Sequence, residues 1–273
     1  MRAKPTHRRK PQPEQPDMAI ELPSTPSQRL DSKRAVITGA GRGIGLACAA
    51  ALAEAGAHVT LLARSRAEIV EVAAAIMERG QLAKARTLDI TDLPAVDDFF
   101  ESEPAFDILV NNAGTNRPRH AMEVEESDYD AVLGLNLKSL FFVSQACVRR
   151  MIAEERKGSL IHVSSQMGHV GGPNRSLYCA SKWAVEGLNK ALALDLAPHG
   201  IRSNTIAPTF IETPMTKPFF EDEAFKKAVV KKIKLGRLGA VEDLMGAIVF
   251  LASDASAMMT GSSLVIDGGW TVD

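Results

Sequence analysis

The sequence Thr38-Gly39-Ala40-Gly41-Arg42-Gly43-Ile44-Gly45 decides the fold of this chain. It joins a short apolar run, residues 35–38, to a stretch of helical character, so its glycines lie in a strand-to-helix turn. Glycines there let the backbone approach a pyrophosphate at the helix N-terminus. No Gly-Lys-Ser/Thr ending follows, so a nucleotide-hydrolysing P-loop is not expected. The turn predicts a dinucleotide site with these candidate residues: Thr38, Gly39, Gly41, Arg42, Gly43, Ile44 and Gly45.

Outward from this turn, short apolar runs alternate with longer amphipathic ones. The pattern predicts strands at 35–38, 58–63, 83–89, 107–112, 159–164, 201–207 and 263–267. It predicts helices at 43–55, 66–79, 93–101, 127–155, 177–197 and 241–252. Such alternation indicates an α/β fold whose parallel sheet is covered on both faces. No internal repeat or composition break divides residues 33–273, so we expect a single domain there.

Composition limits the class of partner. Lysine and arginine total 32 against 33 for aspartate and glutamate, so no net field favours nucleic acid or a membrane. Uninterrupted apolar runs fall well short of the roughly 20 residues that span a bilayer. The three cysteines and the loop histidines His120 and His169 lack a disulfide framework or metal-ligand spacing. We expect a cytoplasmic protein with a small-molecule substrate and no metal.

The first 32 residues differ from the rest. They contain six prolines, and five basic residues cluster within the first ten positions. Proline at this density prevents helices and does not suit a sheet, so we expect a disordered tail. The basic cluster lacks the apolar core of a signal peptide. Met18 precedes a sequence that leads directly into the domain, and it is an alternative start to Met1.

The end of the second predicted strand bears on the choice of cofactor. About 20 residues beyond the glycine turn, a site for NAD is expected to offer an acid to the ribose hydroxyls. This chain has Arg64 there, which could bind a 2′-phosphate through charge-assisted hydrogen bonds with help from Arg42. We therefore predict NADP(H) over NAD(H). The alternative is that Arg64 and Arg66 only solvate the first turn of the next helix.

Tyr178 and Lys182 are four residues apart and would share one face of a helix. A free phenol, with a pKa of about 10, exchanges protons poorly near pH 7. An ammonium about 5 Å away would favour the phenolate by roughly 3 kcal/mol. Ser165, at the end of a predicted strand, could hydrogen-bond an oxygen that gains charge during reaction. These three are candidate catalytic residues, although a tyrosine and a lysine at this spacing also occur by chance.

Several motifs in one order resemble the short-chain dehydrogenase/reductase family, over about Asp31 to Asp273. They are TGAGRGIG at 38–45, LDI at 88–90, NNAG at 111–114, Asn136, Ser165, YCASK at 178–182 and IAPTFIETPM at 206–215. Within the family the chain is similar to bacterial sugar/gluconate-type dehydrogenases and 3-oxoacyl-acyl carrier protein reductases. The resemblance implies a Rossmann-type, doubly wound sheet with strand order 3-2-1-4-5-6-7. It also implies reversible hydride transfer between a nicotinamide and a carbonyl or secondary alcohol.

The resemblance also implies residue roles. Tyr178 is the acid/base, Lys182 lowers its pKa and binds the nicotinamide ribose, and Ser165 holds the substrate oxygen. Asn136 positions a water that relays protons. The implied cofactor contacts beyond the glycine turn and Arg64 are Asp89, Ile90, Asn112, Ala113, Gly114, Tyr178, Lys182, Pro208, Ile211 and Thr213.

Two segments near the sixth predicted strand are of special interest. Where many family members have Pro-Gly, this chain has Pro208-Thr209, so the backbone there loses glycine's freedom at positive φ. Residues 212–234, rich in proline, phenylalanine and charge, resemble the family's mobile substrate lid. The long helices predicted at 127–155 and 177–197 are apolar on more than one face, which indicates subunit contacts, and the resemblance implies a homotetramer.

Substrate identity is less constrained. The candidate substrate residues are Arg117, Gln166, His169 and Asn174, a polar set that suits a sugar, polyol or sugar acid. A 3-oxoacyl-thioester reductase would use the same site. A nucleotide-binding sensor without turnover would not need Asn136, Ser165, Tyr178 and Lys182 together. A serine hydrolase is disfavoured because Ser165 lacks a Gly-x-Ser-x-Gly elbow.

Overall fold

The structure, a computed structural model, describes residues 20–272. Most of the predicted tail, residues 1–19, therefore lies outside the described residues, as does Asp273. Residues 20–29 are exposed and belong to no helix or strand. Leu30, in contrast, is fully buried, and its backbone N–H donates to the carbonyl of Ala55 at 2.8 Å. Packing against the domain thus begins at Leu30.

Seven parallel strands form one sheet in the order β3-β2-β1-β4-β5-β6-β7, which confirms the predicted order. The strands are β1 (Arg34–Thr38), β2 (His58–Ala63), β3 (Ala83–Thr87), β4 (Ile108–Asn111), β5 (Gly158–Val163), β6 (Ile201–Pro208) and β7 (Ser263–Ile266). Each predicted strand is present, with bounds within two residues of the prediction. The order reverses between β1 and β4, and this is where ligands bind in open α/β sheets.

Eight α-helices lie among the described residues. They are α1 (Gly43–Glu54), α2 (Arg66–Glu78), α3 (Leu93–Ser102), α4 (Glu126–Leu133), α5 (Leu140–Ala153), α6 (Ser176–Leu196), α7 (Glu223–Lys232) and α8 (Glu242–Ala252). Buried side chains of α1, α2 and α8 form one apolar layer with the sheet. Those of α3, α5 and α6 form a second layer. Helices therefore cover both faces, and the carboxyl edge of the sheet stays open for a site.

The single helix predicted at 127–155 is interrupted in the structure. Residues Gly134–Ser139 form a π-helical turn between α4 and α5. Such turns are rare and often occur at functional sites, and this one contains Asn136. The continuous run Glu126–Ala153 is long and apolar enough, by length and composition alone, to cross a membrane, but half of its apolar window is buried inside the domain. The run behaves here as a core helix.

The predicted lid contains more regular structure than the sequence suggested. A short 3₁₀ turn, Lys217–Glu221, precedes α7, a helix that was not predicted. The Asp222 carboxylate begins α7 by accepting the backbone N–H groups of Ala224 and Phe225. Apolar residues of this segment pack with Leu238 and Trp270 in a cluster separate from the two main layers. The segment is thus a small packed unit at the carboxyl edge of the sheet.

Candidate active site

The glycine turn is fastened to the end of β4. Thr38 Oγ1 accepts the backbone N–H groups of Asn112 and Ala113 at 3.0 and 3.1 Å. The Asn112 side-chain amide donates in turn to the carbonyls of Thr38 and Gly39. A Cβ on Gly45 would overlap the carbonyl oxygen of Gly39, and Gly39 itself has φ +64°. Only glycines fit this close approach, so the turn fits the pyrophosphate of a dinucleotide at the start of α1.

Charged groups lie where the adenosine ribose would be held. Arg64 is exposed, and no hydrogen bond or ion pair of its guanidinium is found among residues 20–272. Arg42 makes a loose, exposed pair with Glu68 at 3.7 Å. The pKa of Asp89 is lowered, first by the Thr91 backbone N–H and to a smaller extent by the charge of Arg64. Arg64 is therefore a cation available to a ligand beside Asp89.

Several other predicted cofactor positions lie close to the glycine turn or are buried near it in sequence or space. A Cβ on Gly114 would lie 3.2 Å from Asn136 Oδ1, and one on Gly43 would lie 3.3 Å from the Thr213 side chain. The beginning of the lid thus comes close to the glycine turn. Ile90, Pro208 and Ile211 are buried.

Thr209 occupies the position where many family members have glycine. Its φ is not positive, and its backbone N–H donates to the carbonyl of Ile266 at 3.1 Å. Because the backbone there does not adopt positive φ, the change from glycine introduces no conformational strain.

Ser165, Tyr178 and Lys182 converge at the carboxyl end of β5. Lys182 is buried, and its Nζ donates to the carbonyl of Val163 at 2.7 Å. The same Nζ lies 5.6 Å from the centre of the Tyr178 ring. Ser165 follows β5, and its Oγ accepts the Met167 backbone N–H at 3.1 Å. The structure thus brings together the three side chains that the sequence spacing singled out.

Burial has the largest effect on the pKa values of Tyr178 and Lys182. Burial raises the pKa of the Tyr178 phenol, while a hydrogen bond with Ser165 and the charge of Arg175 oppose that rise. Burial also lowers the pKa of Lys182 to about 8, against the attraction of Glu186. Lys182, whose Nζ lies 5.6 Å from the ring centre, stays the predicted source of a charge that favours the phenolate. Arg175, which the sequence did not single out, contributes a favourable charge as well.

Asn136 connects the loop after β4 with α6. Its Oδ1 accepts the Thr115 backbone N–H at 2.8 Å, and its Nδ2 donates to the Thr115 carbonyl at 2.9 Å and to Ser181 Oγ at 3.1 Å. The Ser181 hydroxyl donates to the carbonyl of Tyr178. The π-helical turn therefore positions Asn136 so that Ser181 links it by hydrogen bonds to the backbone carbonyl of Tyr178, the candidate acid/base.

Contacts with neighbouring segments hold three of the four predicted substrate residues. Arg117 donates to Asp128 Oδ1 at 3.1 Å. His169 Nε2 lies 3.1 Å from Ser263 Oγ. Asn174 has a positive φ of 58°, and its carbonyl accepts the Arg119 N–H. These contacts shape the loops around the site.

Gln166 differs from those three. It is 2% exposed, and its Oε1 accepts from Ser165 Oγ at 3.3 Å. Its Nε2 is buried without a partner among the described residues. Gln166 thus offers an unused donor beside the candidate catalytic serine.

Arg175 was not predicted from the sequence. It immediately precedes α6, three residues before Tyr178, and is only 8% exposed. Its guanidinium carbon lies 5.9 and 5.1 Å from the ring centres of Phe210 and Phe219. Its Nη1 is buried, and the described residues offer it no hydrogen-bond partner. The sequence indicated a role for Arg175 only through its position just before the Tyr-x-x-x-Lys segment. Its burial, which the sequence does not show, is what marks it as a candidate functional residue.

A family model described as enoyl-(acyl carrier protein) reductase matches residues 39–271. The chain belongs to the short-chain dehydrogenase/reductase family. This short-chain enzyme is an NAD(P)-dependent oxidoreductase that acts on CH–OH groups. No cluster of three or more potential metal ligands occurs among residues 20–272.

Several relatives of this short-chain enzyme are named for reactions of sugars and sugar acids. D-erythrulose reductase of Gallus gallus is 36% identical, over 90% of this chain and 99% of that protein. Gluconate 5-dehydrogenase of Gluconobacter oxydans is 38% identical, over 89% of this chain and 96% of that protein. The solved gluconate 5-dehydrogenase of Burkholderia cenocepacia, in complex with NADP and tartrate, is 38% identical with a TM-score of 0.86. The match covers 90% of this chain and 98% of that one.

Proposed function

We propose that this enzyme transfers a hydride between NADP(H) and a small polar ketone or secondary alcohol, of the sugar, polyol or sugar-acid class. The observation that carries the proposal is the convergence of Ser165, Tyr178 and Lys182 beside a dinucleotide cleft. The relatives named for erythrulose and gluconate support the substrate class. A relative solved in complex with NADP and tartrate supports the phosphorylated cofactor.

The nicotinamide cofactor, when bound, supplies or accepts the hydride. Tyr178 gives its proton to the carbonyl oxygen in reduction and takes it from the alcohol in oxidation. The Ser165 hydroxyl donates a hydrogen bond to that oxygen as its negative charge develops. Lys182 holds the nicotinamide ribose and favours the phenolate while it stays charged. Asn136 orients a water that connects Lys182 to solvent.

Cofactor binding uses the glycine turn and the loops around it. The proposed contacts of the turn are Thr38, Gly39, Gly41, Arg42, Gly43, Ile44 and Gly45. The others are Arg64, Asp89, Ile90, Asn112, Ala113, Gly114, Tyr178, Lys182, Pro208, Ile211 and Thr213. Arg64 favours NADP(H) over NAD(H) because its exposed guanidinium makes no hydrogen bond to another described residue and can donate to a 2′-phosphate.

Substrate contacts come from Arg117, Gln166, His169 and Asn174, and residues 212–234 act as a lid that excludes water. We further propose a catalytic domain spanning 33–273, a cytoplasmic location and a homotetramer.

A substrate panel followed by cofactor absorbance tests the proposal. The panel contains ketoses, alditols, aldonates and a 3-oxoacyl thioester, each assayed with NADP(H) and NAD(H). We expect turnover of a sugar, polyol or sugar acid, with kcat/KM at least tenfold higher for the phosphorylated cofactor. Preferred turnover of the thioester would identify an acyl reductase instead. Turnover at least tenfold more efficient with NAD(H) would contradict the proposed role of Arg64.

A further inference from the structure

Arg175 is a buried charge for which the described residues offer no counter-ion. It is 8% exposed, and no hydrogen bond or ion pair of its guanidinium is found within residues 20–272. Burying an arginine without a partner is costly, and native proteins rarely do so outside a functional site. Phe210 and Phe219 lie against the guanidinium but offer no hydrogen-bond acceptor. The side chain is therefore prepared for an anion that residues 20–272 do not provide.

Other cations around the candidate site are already engaged. Lys182 Nζ donates to the Val163 carbonyl. Arg117 and Arg119 both pair with Asp128, each at 3.1 Å. Among these cations, the guanidinium of Arg175 is the one with a buried nitrogen that has no hydrogen-bond acceptor in the described part of the chain.

Gln166 adds a second unused donor. Its buried Nε2 has no partner in the described part of the chain, while its Oε1 accepts from Ser165 Oγ. Gln166 and Arg175 both lie in the loop that connects β5 with α6, which also carries Ser165. Two free donors in the loop that presents the candidate catalytic serine indicate a ligand with several acceptor oxygens close to the reacting carbon.

We propose that Arg175, assisted by Gln166, binds the carboxylate of an acidic substrate, a sugar acid or related hydroxy acid, while Ser165 and Tyr178 engage its reacting oxygen. The inference rests on the proposed function and narrows its substrate class from polar molecules to carboxylates. The planar guanidinium fork matches a carboxylate, which accepts two parallel hydrogen bonds.

The segment that follows β6, including the beginning of the lid, contributes to this selectivity. Phe210 and Phe219 belong to the segment that follows β6, and their rings cover the guanidinium. Aromatic rings hold the fork in place and keep water away from it. A neutral substrate would leave the buried guanidinium unpaired, and sites built in this way reject analogues that lack the matching group.

Matched pairs of aldonates and alditols with the same carbon chain test the proposal, because each pair differs only in the carboxylate. With four- to six-carbon members, we expect at least one aldonate to be oxidised with kcat/KM about 100-fold above that of its alditol. Arg175→Met should reduce this ratio about 100-fold, and Arg175→Lys should give an intermediate ratio. Arg119→Met is the matched control, because that arginine already pairs with Asp128 and Glu125. It should retain the ratio within about twofold.

Thermal unfolding supplies a readout that does not depend on turnover. Aldonates should raise the Tm of the wild-type enzyme with NADPH present, and the increase should disappear in Arg175→Met. Equal or better use of alditols would overturn the carboxylate assignment and leave the proposed function intact. Aldonates that neither react nor raise Tm would overturn it too. If no compound in the panel reacts, the proposed function fails, and the Tm comparison still decides whether Arg175 binds a carboxylate.

Discussion

At the scale of single residues, Tyr178 is subject to opposing influences. Its partial burial favours the neutral phenol, whereas Ser165 and Arg175 favour the phenolate. Lys182, the neighbour expected to supply the favourable charge, is itself buried and directs its Nζ to a backbone carbonyl. A residue one turn before Tyr178 therefore shares the electrostatic role that the sequence assigned to the lysine one turn after it.

Replacing Arg64 tests the preference for the phosphorylated cofactor. A glutamate there would repel a 2′-phosphate and remove a charge-assisted hydrogen bond worth roughly 1.5–3 kcal/mol. Arg64→Glu should therefore lower kcat/KM for NADPH by about 10- to 100-fold and change that for NADH far less. Arg66→Gln, a neighbouring exposed arginine, is the matched control and should have little effect. Equal losses with both cofactors would contradict a specific contact with the 2′-phosphate.

The pH dependence of reduction reports on Lys182. Burial lowers the pKa of Lys182 to about 8, so its charge is present below that pH and is lost as the pH rises through it. Because that charge favours the phenolate formed when Tyr178 gives up its proton, kcat for reduction should fall above pH 8. Stopped-flow rates from pH 6 to about 10, with circular dichroism to confirm folding, measure this. A flat profile would show that Lys182 does not assist proton transfer.

The sequence revealed one part of the site better than another. Ser165, Tyr178 and Lys182 could be predicted because their chemistry requires particular side chains at a fixed spacing. Arg175 could not, because it matters through burial under Phe210 and Phe219, which come 35 and 44 residues later in the chain. The sequence likewise does not show which charged side chains form ion pairs, so the ion pair of Arg117 with Asp128 was not predicted.

At the scale of helices and strands, hydrophobic periodicity predicted the sheet well because its central strands are buried on both sides. It missed the π-helical turn Gly134–Ser139, since one extra residue in a turn barely alters an apolar pattern. It also missed α7, whose proline-rich approach and many charges are typical of loops. The lid prediction was based on the resemblance alone, and the packing of α7 was not readable from composition.

An ion pair at the start of α8 gives a prediction for stability. Asp243 bonds Arg237 and the Ala240 N–H, which lower its pKa to about 2. A carboxyl with a lowered pKa stabilises the fold above its unfolded pKa of about 4, and that contribution is lost as the pH falls toward 2. After allowance for solvent screening, Asp243→Asn should cost about 1 kcal/mol at pH 7.

Urea unfolding at several pH values measures this contribution. The difference between wild type and Asp243→Asn should shrink as the pH is lowered from 4 toward 2. Glu242→Gln, an exposed neighbour in the same helical turn, is the control and should cost less. A difference that does not change with pH would show that Asp243 acts through packing and not through its charge.

At the scale of the whole molecule, several large apolar side chains of α4, α6 and β7 remain exposed. Trp183 and Leu194 of α6 are 54% and 78% exposed, and Tyr129 of α4 and Val265 of the edge strand β7 are also exposed. Exposed aromatic and aliphatic residues on packed elements are typical of subunit contacts. These residues support the proposed homotetramer.

Sedimentation velocity at micromolar concentration tests the assembly. We expect a tetramer for the wild type and smaller species for Trp183→Glu, because a charge would then be buried in a subunit contact. Met77→Glu, on α2, replaces a comparably exposed apolar residue and should leave the assembly unchanged. A monomeric wild-type protein would contradict the proposal.

Tyr178→Phe tests the central claim most directly, since it removes one hydroxyl from the site and leaves the ring in place. The measurement pairs kcat for reduction at saturating NADPH with the Kd of NADPH from fluorescence. Loss of the proton donor should lower kcat by about 10³-fold, while Kd should change by no more than about threefold. A kcat close to that of the wild type would contradict the assignment of Tyr178 as the acid/base.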